Sequence, residues 1–165
     1  MEPILVGMGE YRVVNDSTKL TCVGLGSCVA LVLQDTRKQI GGMAHIMLPS
    51  RDEARNKGNL GRFADSAVPL MVKEMERRGA AKAHLKARIF GGANMFPMVP
   101  NKGLIAVGDR NVRAVKETLK KHGIILIEKE TGGCRGRTVI FNPQSGTVTI
   151  KYAGEDYGET NPHRG

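Results

Sequence analysis

The chain has 165 residues, 41% apolar and 25% charged, which are values of a globular domain with one substantial core and not of a disordered chain. Its formal charge of +9 and pI near 9.7 favour acidic partners, yet basic residues alternate with acids, as in Lys73-Glu74-Met75-Glu76-Arg77-Arg78. No basic and aromatic stripe is present for stacking bases, so no nucleic-acid partner is expected. Three cysteines without close pairs are not a disulfide framework, and the four histidines have no metal-ligand spacing. The N-terminus lacks the pattern of a signal peptide and no apolar run reaches the length of a membrane span. A cytoplasmic chain with reduced thiols is expected, without membrane insertion.

In chain order, Val13–Asn15 ends a first short strand and Leu20–Val23 begins a second. Val29–Asp35 is apolar, β-branched and short, and reads as a buried strand. Asp35-Thr36-Arg37-Lys38 turns it into a partner strand over Gln39–Leu48, where two glycines suggest a bulge or close approach. Pro49–Gly61 is polar and aperiodic, a candidate lid. Arg62–Arg78 carries Phe63, Ala67, Leu70, Met71 and Met75 at helical spacing, with Pro69 tolerable if the helix begins near Asp65 or Ser66, and Gly79 as its stop. His84–Phe90 is a strand entering the Gly91-Gly92-Ala93-Asn94 loop. A second helix spans Val112–His122, capped by Asp109 or Asn111 and ended by Gly123. Ile124–Glu128 is a strand, and Thr131–Arg137 a glycine-rich loop. Thr138–Asn142 and Thr147–Tyr152 flank the Pro143-Gln144-Ser145-Gly146 turn of a hairpin. The tail from Gly154 on is polar and expected to be loose. One α/β domain with a mixed sheet accounts for this order.

The stretch Gly24-Leu25-Gly26-Ser27-Cys28 immediately precedes the first buried strand. A turn centred on Thr36-Arg37 would set Leu33 opposite Ile40, Val29 opposite Ala44 and Cys28 opposite His45, with Cβ atoms roughly 5 Å apart. A thiolate is a nucleophile, an adjacent imidazole can take its proton, and the backbone at Gly24, Gly26 and Ser27 could serve an oxyanion. Two roles stay open at this level. Cys28 reads equally as a small buried hydrophobe and His45 as a satisfied core histidine. Cys22 reads as a strand residue, Cys134 as a surface thiol, and Met43, Met47, Met71 and Met75 as core.

The segments GLGSCVALVLQD, GGMAHIMLP, RFADSAVPLMVKEMERRGA, RIFGGANMF, VGDRNVRAVKETLKKHGI and TGGCRGRTVIFNPQSGTV occur in this order. In them the chain resembles the chemoreceptor glutamine deamidase family, CheD, from about Gly7 to Lys151. The resemblance implies a three-layer α/β sandwich, with a mixed β-sheet packed by helices, related to bacterial toxin deamidases. It implies one deamidase domain over 1–153, followed by the tail at 154–165. It further implies hydrolysis of receptor glutamine side chains to glutamate with release of ammonia, in adaptation of chemotaxis. The family's cysteine nucleophile falls on Cys28 and its histidine, general base and acid, on His45. Its third position, a threonine six residues before the cysteine, falls on Cys22, with Thr21 one place earlier. The implied partners are chemoreceptor cytoplasmic helices and CheC, a phosphatase of the response regulator CheY. The alternative the family offers is a non-catalytic module that docks on CheC or receptors.

Overall fold

A computed structural model describes residues 2–56, 58–95 and 106–154, and the backbone of 157–160. Among these residues ten strands form two five-stranded sheets, where the sequence suggests one mixed sheet. The first sheet has the order β1 (Ile4–Leu5), β3 (Leu20–Leu25), β8 (Arg137–Phe141), β9 (Val148–Tyr152) and β10 (Tyr157–Thr160). The second has β2 (Tyr11–Val14), β5 (Ile40–Ile46), β4 (Val29–Asp35), β6 (Leu85–Gly91) and β7 (Ile125–Thr131). Both are mixed, because β1 runs parallel to β3 and β6 parallel to β7 while the other pairs are antiparallel.

The strand Val29–Asp35 explains the layering, since every one of its residues is buried. Side chains alternate across a strand, so both faces of the second sheet must be covered. Val29, Leu31 and Leu33 point to one face, where Val68, Met71, Met75, Val115 and Leu119 of the helices α1 (Ala64–Arg77) and α2 (Val107–Lys121) pack on them. Ala30 and Val32 point to the other, against Leu20, Cys22, Leu25, Val139 and Phe141 of the first sheet. The result is helices on sheet on sheet, the three-layer α/β sandwich expected. Arg88 is 2% exposed between the sheets, with Nη2 donating to Gln34 Oε1 at 3.2 Å and its guanidinium over the Phe141 ring.

The β4–β5 hairpin departs from the expected register. Ala30, not Cys28, lies opposite His45, because the loop is Thr36–Gln39 and Asp35 pairs with Ile40. The Asp35 carboxylate accepts from the Arg37, Lys38 and Ala81 N–H groups, which rounds off a wider loop, and Gln39 takes φ 54°. The slip is two residues, so it moves the pairing without exchanging the faces.

Helix α1 runs through Pro69, which forgoes one bond to the Asp65 carbonyl, and stops at Gly79 with φ 108°. Helix α2 starts five residues before the expected Val112, and neither Asp109 nor Asn111 is its cap. Its inward stripe begins with Gly108 and Asn111, which carry no apolar signal. The part of the polar tail at Tyr157–Thr160 is a strand, pairing with the otherwise open edge of β9. Residues 161–165 lie outside the described residues. Among the described residues no helix is long and apolar enough to cross a membrane.

The start of α2 presses on the Gly91-Gly92-Ala93 loop. A Cβ at Gly108 would meet the Ala93 carbonyl oxygen and lie 2.6 Å from that of Gly92. These are backbone atoms and cannot swing aside. Gly108→Ala is expected to destabilise the chain by about 2–4 kcal/mol, read as a lowered denaturation midpoint. An unchanged midpoint would mean that the helix and loop are not in this contact.

Candidate active site

Cys28 stands just before β4, but the ladder with β6 extends one residue further, since the Gly92 N–H donates to the Cys28 carbonyl at 2.8 Å. That continuation keeps Cys28 in strand alternation, on the same face as Ala30 and packed against the inter-sheet core. His45 lies opposite Ala30 and so shares this face with Met43. Cys28 and His45 are thus diagonal neighbours at the open end of the gap between the sheets, a relation that places residues roughly 7–8 Å apart before their side chains lean together. The thiol is half-buried and the imidazole nearly covered, at 4% exposure.

His45 Nδ1 lies 3.1 Å from the Val6 carbonyl oxygen. A carbonyl only accepts, so Nδ1 carries the proton and Nε2 keeps its lone pair. Val6 can do this because of where the chain crosses between sheets. Its N–H donates to Thr21 in the first sheet at 2.8 Å, and a few residues on the Gly9 N–H and Glu10 carbonyl pair with the His45 backbone in the second. No side chain carries this role, so no motif announces it in the sequence. Burial holds the imidazole below its ordinary titration range, opposed by the Val6 bond and the Glu10 charge. Burial pushes the Cys28 thiol up. At neutral pH the resting pair is therefore thiol and neutral imidazole, as general-base activation requires, and not a preformed ion pair.

The backbone before the thiol is held at three consecutive carbonyls. Ala93 N–H donates to Gly26 at 2.8 Å, Asn111 Nδ2 to Ser27 at 2.9 Å and Gly92 N–H to Cys28 at 2.8 Å. Among the described residues nothing accepts from the Ser27 or Cys28 N–H. Gly24 has φ 65° at the bulge between Cys22 and Leu25 in the β3–β8 ladder, a conformation glycine adopts without strain. A Cβ at Gly26 would lie 3.2 Å from the Met95 side chain, a tight contact.

Cys22 is fully buried, faces the same inter-sheet core as Cys28, and has its thiol pushed far up by burial. Thr21 faces away, its hydroxyl donating to the Val139 carbonyl at 2.9 Å. The hydroxyl one place upstream is therefore not turned to the pair. Because His45 is oriented by Val6, Cys22→Ala is expected to keep turnover within about threefold while losing about 1–2 kcal/mol of stability to the cavity. A larger loss of turnover, with the fold intact by circular dichroism, would give Cys22 a direct part.

Arg137 stitches the Thr131–Arg137 loop by donating to the carbonyls of Glu130 and Gly132, and Cys134 is exposed. The expected lid is tied down: Ser50 donates to Asp65 at 3.0 Å and Glu53 pairs with Arg110 of α2. Met43, Met71 and Met75 are core, while Met47 is partly exposed. No group of histidine, cysteine and acidic side chains suited to a metal occurs among the described residues.

A family model described as CheD chemotactic sensory transduction matches residues 47–152. Relatives named "Probable chemoreceptor glutamine deamidase CheD" match nearly end to end. That of Clostridium novyi is 43% identical over 153 residues, covering 93% of this chain and 94% of the relative. The chain belongs to the CheD family. The CheD relative of Syntrophomonas wolfei is 42% identical over 92% of this chain and 94% of its own length, and that of Desulforamulus reducens 43% over 92% and 91%. Both alignments leave few residues of the CheD fold unmatched, although the family-model match begins after Cys28 and His45. A solved structure, Bacillus licheniformis hypothetical protein YfiH, superposes with TM-score 0.44 at 15% identity over 75% of this chain and 51% of that one, too loosely to bear on function.

Proposed function

We propose that this chain hydrolyses the side-chain amides of specific chemoreceptor glutamines to carboxylates, releasing ammonia, in the adaptation arm of chemotaxis. The observation that carries the reading is the placement of Cys28 and His45 on one face of the hairpin, with His45 Nδ1 committed to Val6 and Nε2 left to act as base. The names of the CheD relatives supply the substrate class.

The reaction is acyl transfer. His45 Nε2 takes the thiol proton as Cys28 Sγ bonds to the glutamine carbonyl carbon. The carbonyl electrons move to oxygen, which the Ser27 and Cys28 N–H groups stabilise. The tetrahedral centre collapses, the C–N bond breaks, and His45 returns the proton to the leaving ammonia. Water then gives a proton to His45 and its oxygen to the thioester, freeing glutamate and the Cys28 thiol. No step needs a metal or organic cofactor.

The half-buried thiol suits a side chain presented on a surface rather than a free small molecule. The net charge of +9 favours acidic receptor helices as the surface that presents it. The test incubates the chain with a receptor cytoplasmic fragment and maps by mass spectrometry the glutamines that become glutamate. Conversion confined to a few sites is expected; an unchanged fragment would contradict the proposal. Docking is expected to weaken with salt, and salt-independent binding would remove the electrostatic part.

A further inference from the structure

Asn111 takes no part in the reaction as drawn, yet it is fully buried in the first turns of α2 and reaches both strand ends that carry the pair. Its Nδ2 donates to the Ser27 carbonyl and to the Met47 carbonyl, each at 2.9 Å. Ser27 adjoins Cys28, and Met47 lies two residues beyond His45. The β4–β5 ladder ends at Val29 and Ile46, so the amide grips both chains where backbone pairing stops. Two carbonyl acceptors require the NH2 group there, which fixes the orientation of the amide. Its Oδ1 is left buried without a partner. Such an atom is a cost, so the residue is kept for its two donors.

We infer that Asn111 is a positioning residue: by tying the Ser27 and Met47 carbonyls together it holds Cys28 Sγ within reach of His45 Nε2. Aspartate, leucine and serine each fit less well. Aspartate would set a carboxylate against two carbonyls. Leucine would leave both unpaired, and serine supplies one donor where two are needed. Gly108, one turn earlier, is what lets the helix approach closely enough for the amide to reach.

The inference rests on reading Cys28 and His45 as the reacting pair, and two readouts separate its failure from failure of that reading. The first is turnover of a receptor fragment by Asn111→Asp and Asn111→Ser. Asn111→Asp is expected to lower kcat about 100-fold with KM within about threefold, as a displacement of about 1 Å at a reacting pair does, and Asn111→Ser to fall between it and wild type. The second is alkylation of Cys28 by iodoacetamide against pH, which needs no receptor. Wild type is expected to show a limb that follows the titration of His45, and Asn111→Asp to lose it while Asn111→Ser keeps part. Val115→Ala, which opens a cavity under the same helix, controls for a loosened fold. It is expected to lower the denaturation midpoint as far as the Asn111 variants while keeping kcat and the alkylation profile within about threefold of wild type. A wild-type profile in folded Asn111→Asp or Asn111→Ser overturns the positioning role. So does a loss in Val115→Ala that matches theirs. If wild type converts no glutamine, the deamidase reading fails, and the alkylation arm still decides on Asn111.

Discussion

Cys28→Ala is expected to abolish glutamine conversion, lowering turnover at least about 10⁴-fold, while the protein stays folded. Without Sγ no thioester forms, and His45 could only activate water against an amide, the poorest of common acyl groups. The fold should tolerate the change. Cys28 is half-buried, and the bonds that hold its backbone come from Gly92, Ala93 and Asn111 to main-chain carbonyls, none of which the substitution removes. A stability change of about 1 kcal/mol or less is expected. Cys28→Ser should be nearly as inactive, because a hydroxyl is far harder than a thiol for a neutral imidazole to deprotonate. Measured initial rates on a receptor fragment decide the matter; residual turnover within tenfold of wild type would contradict the cysteine mechanism.

His45→Gln is the second large effect, an expected loss of about 10²–10⁴ in kcat. Glutamine can still donate to the Val6 carbonyl and fill the buried site, but it cannot accept and return a proton. The pH profile carries the sharper signature. Burial places the His45 titration below its ordinary value near 6.5, so kcat of the wild type should rise as pH climbs through that acidic range and be level at neutrality. The variant should lack the acidic limb. The same shift acts on stability. A histidine whose folded titration is depressed contributes stability that is full above the unfolded value near 6.5 and is lost as pH falls through the folded one. Wild type should therefore lose more of its denaturation midpoint than His45→Gln on going from neutral pH into that window. Cys28 moves the other way: burial raises it, so its intrinsic alkylation should keep increasing above the ordinary thiol range. Parallel pH profiles for wild type and variant would remove His45 as the base.

The candidate site is legible in the sequence through local patterns. Val29–Asp35 declared itself as a buried strand and its bounds agree with the structure. The hairpin face that joins Cys28 to His45 survived a register error because the error was even, whereas a shift of one residue would have separated them. The Asp35 carboxylate, which widens the loop by reaching as far as the Ala81 N–H, is a long-range effect that turn residues alone do not reveal. The part of Val6 is not legible in the sequence because a backbone carbonyl has no residue signature. Asn111, like Asp109, reads as a candidate helix cap because it precedes apolar periodicity, although its amide is spent on Ser27 and Met47. The sequence reads as one mixed sheet and not two because β1 and β10, the edge strands of the first sheet, are short and are seen only through their pairing with β3 and β9. The departure at Cys22 loses weight in this geometry, since Val6 already orients the imidazole.

The measurement closest to the central claim is interception of the thioester. The chain is incubated with a receptor cytoplasmic fragment, with and without hydroxylamine, and glutamine sites are mapped by mass spectrometry. Specific glutamines should become glutamate, and hydroxylamine should divert the same sites to hydroxamate, with neither product formed by Cys28→Ala. Glutamines left unchanged by the wild type, or conversion that persists in Cys28→Ala, would contradict the account.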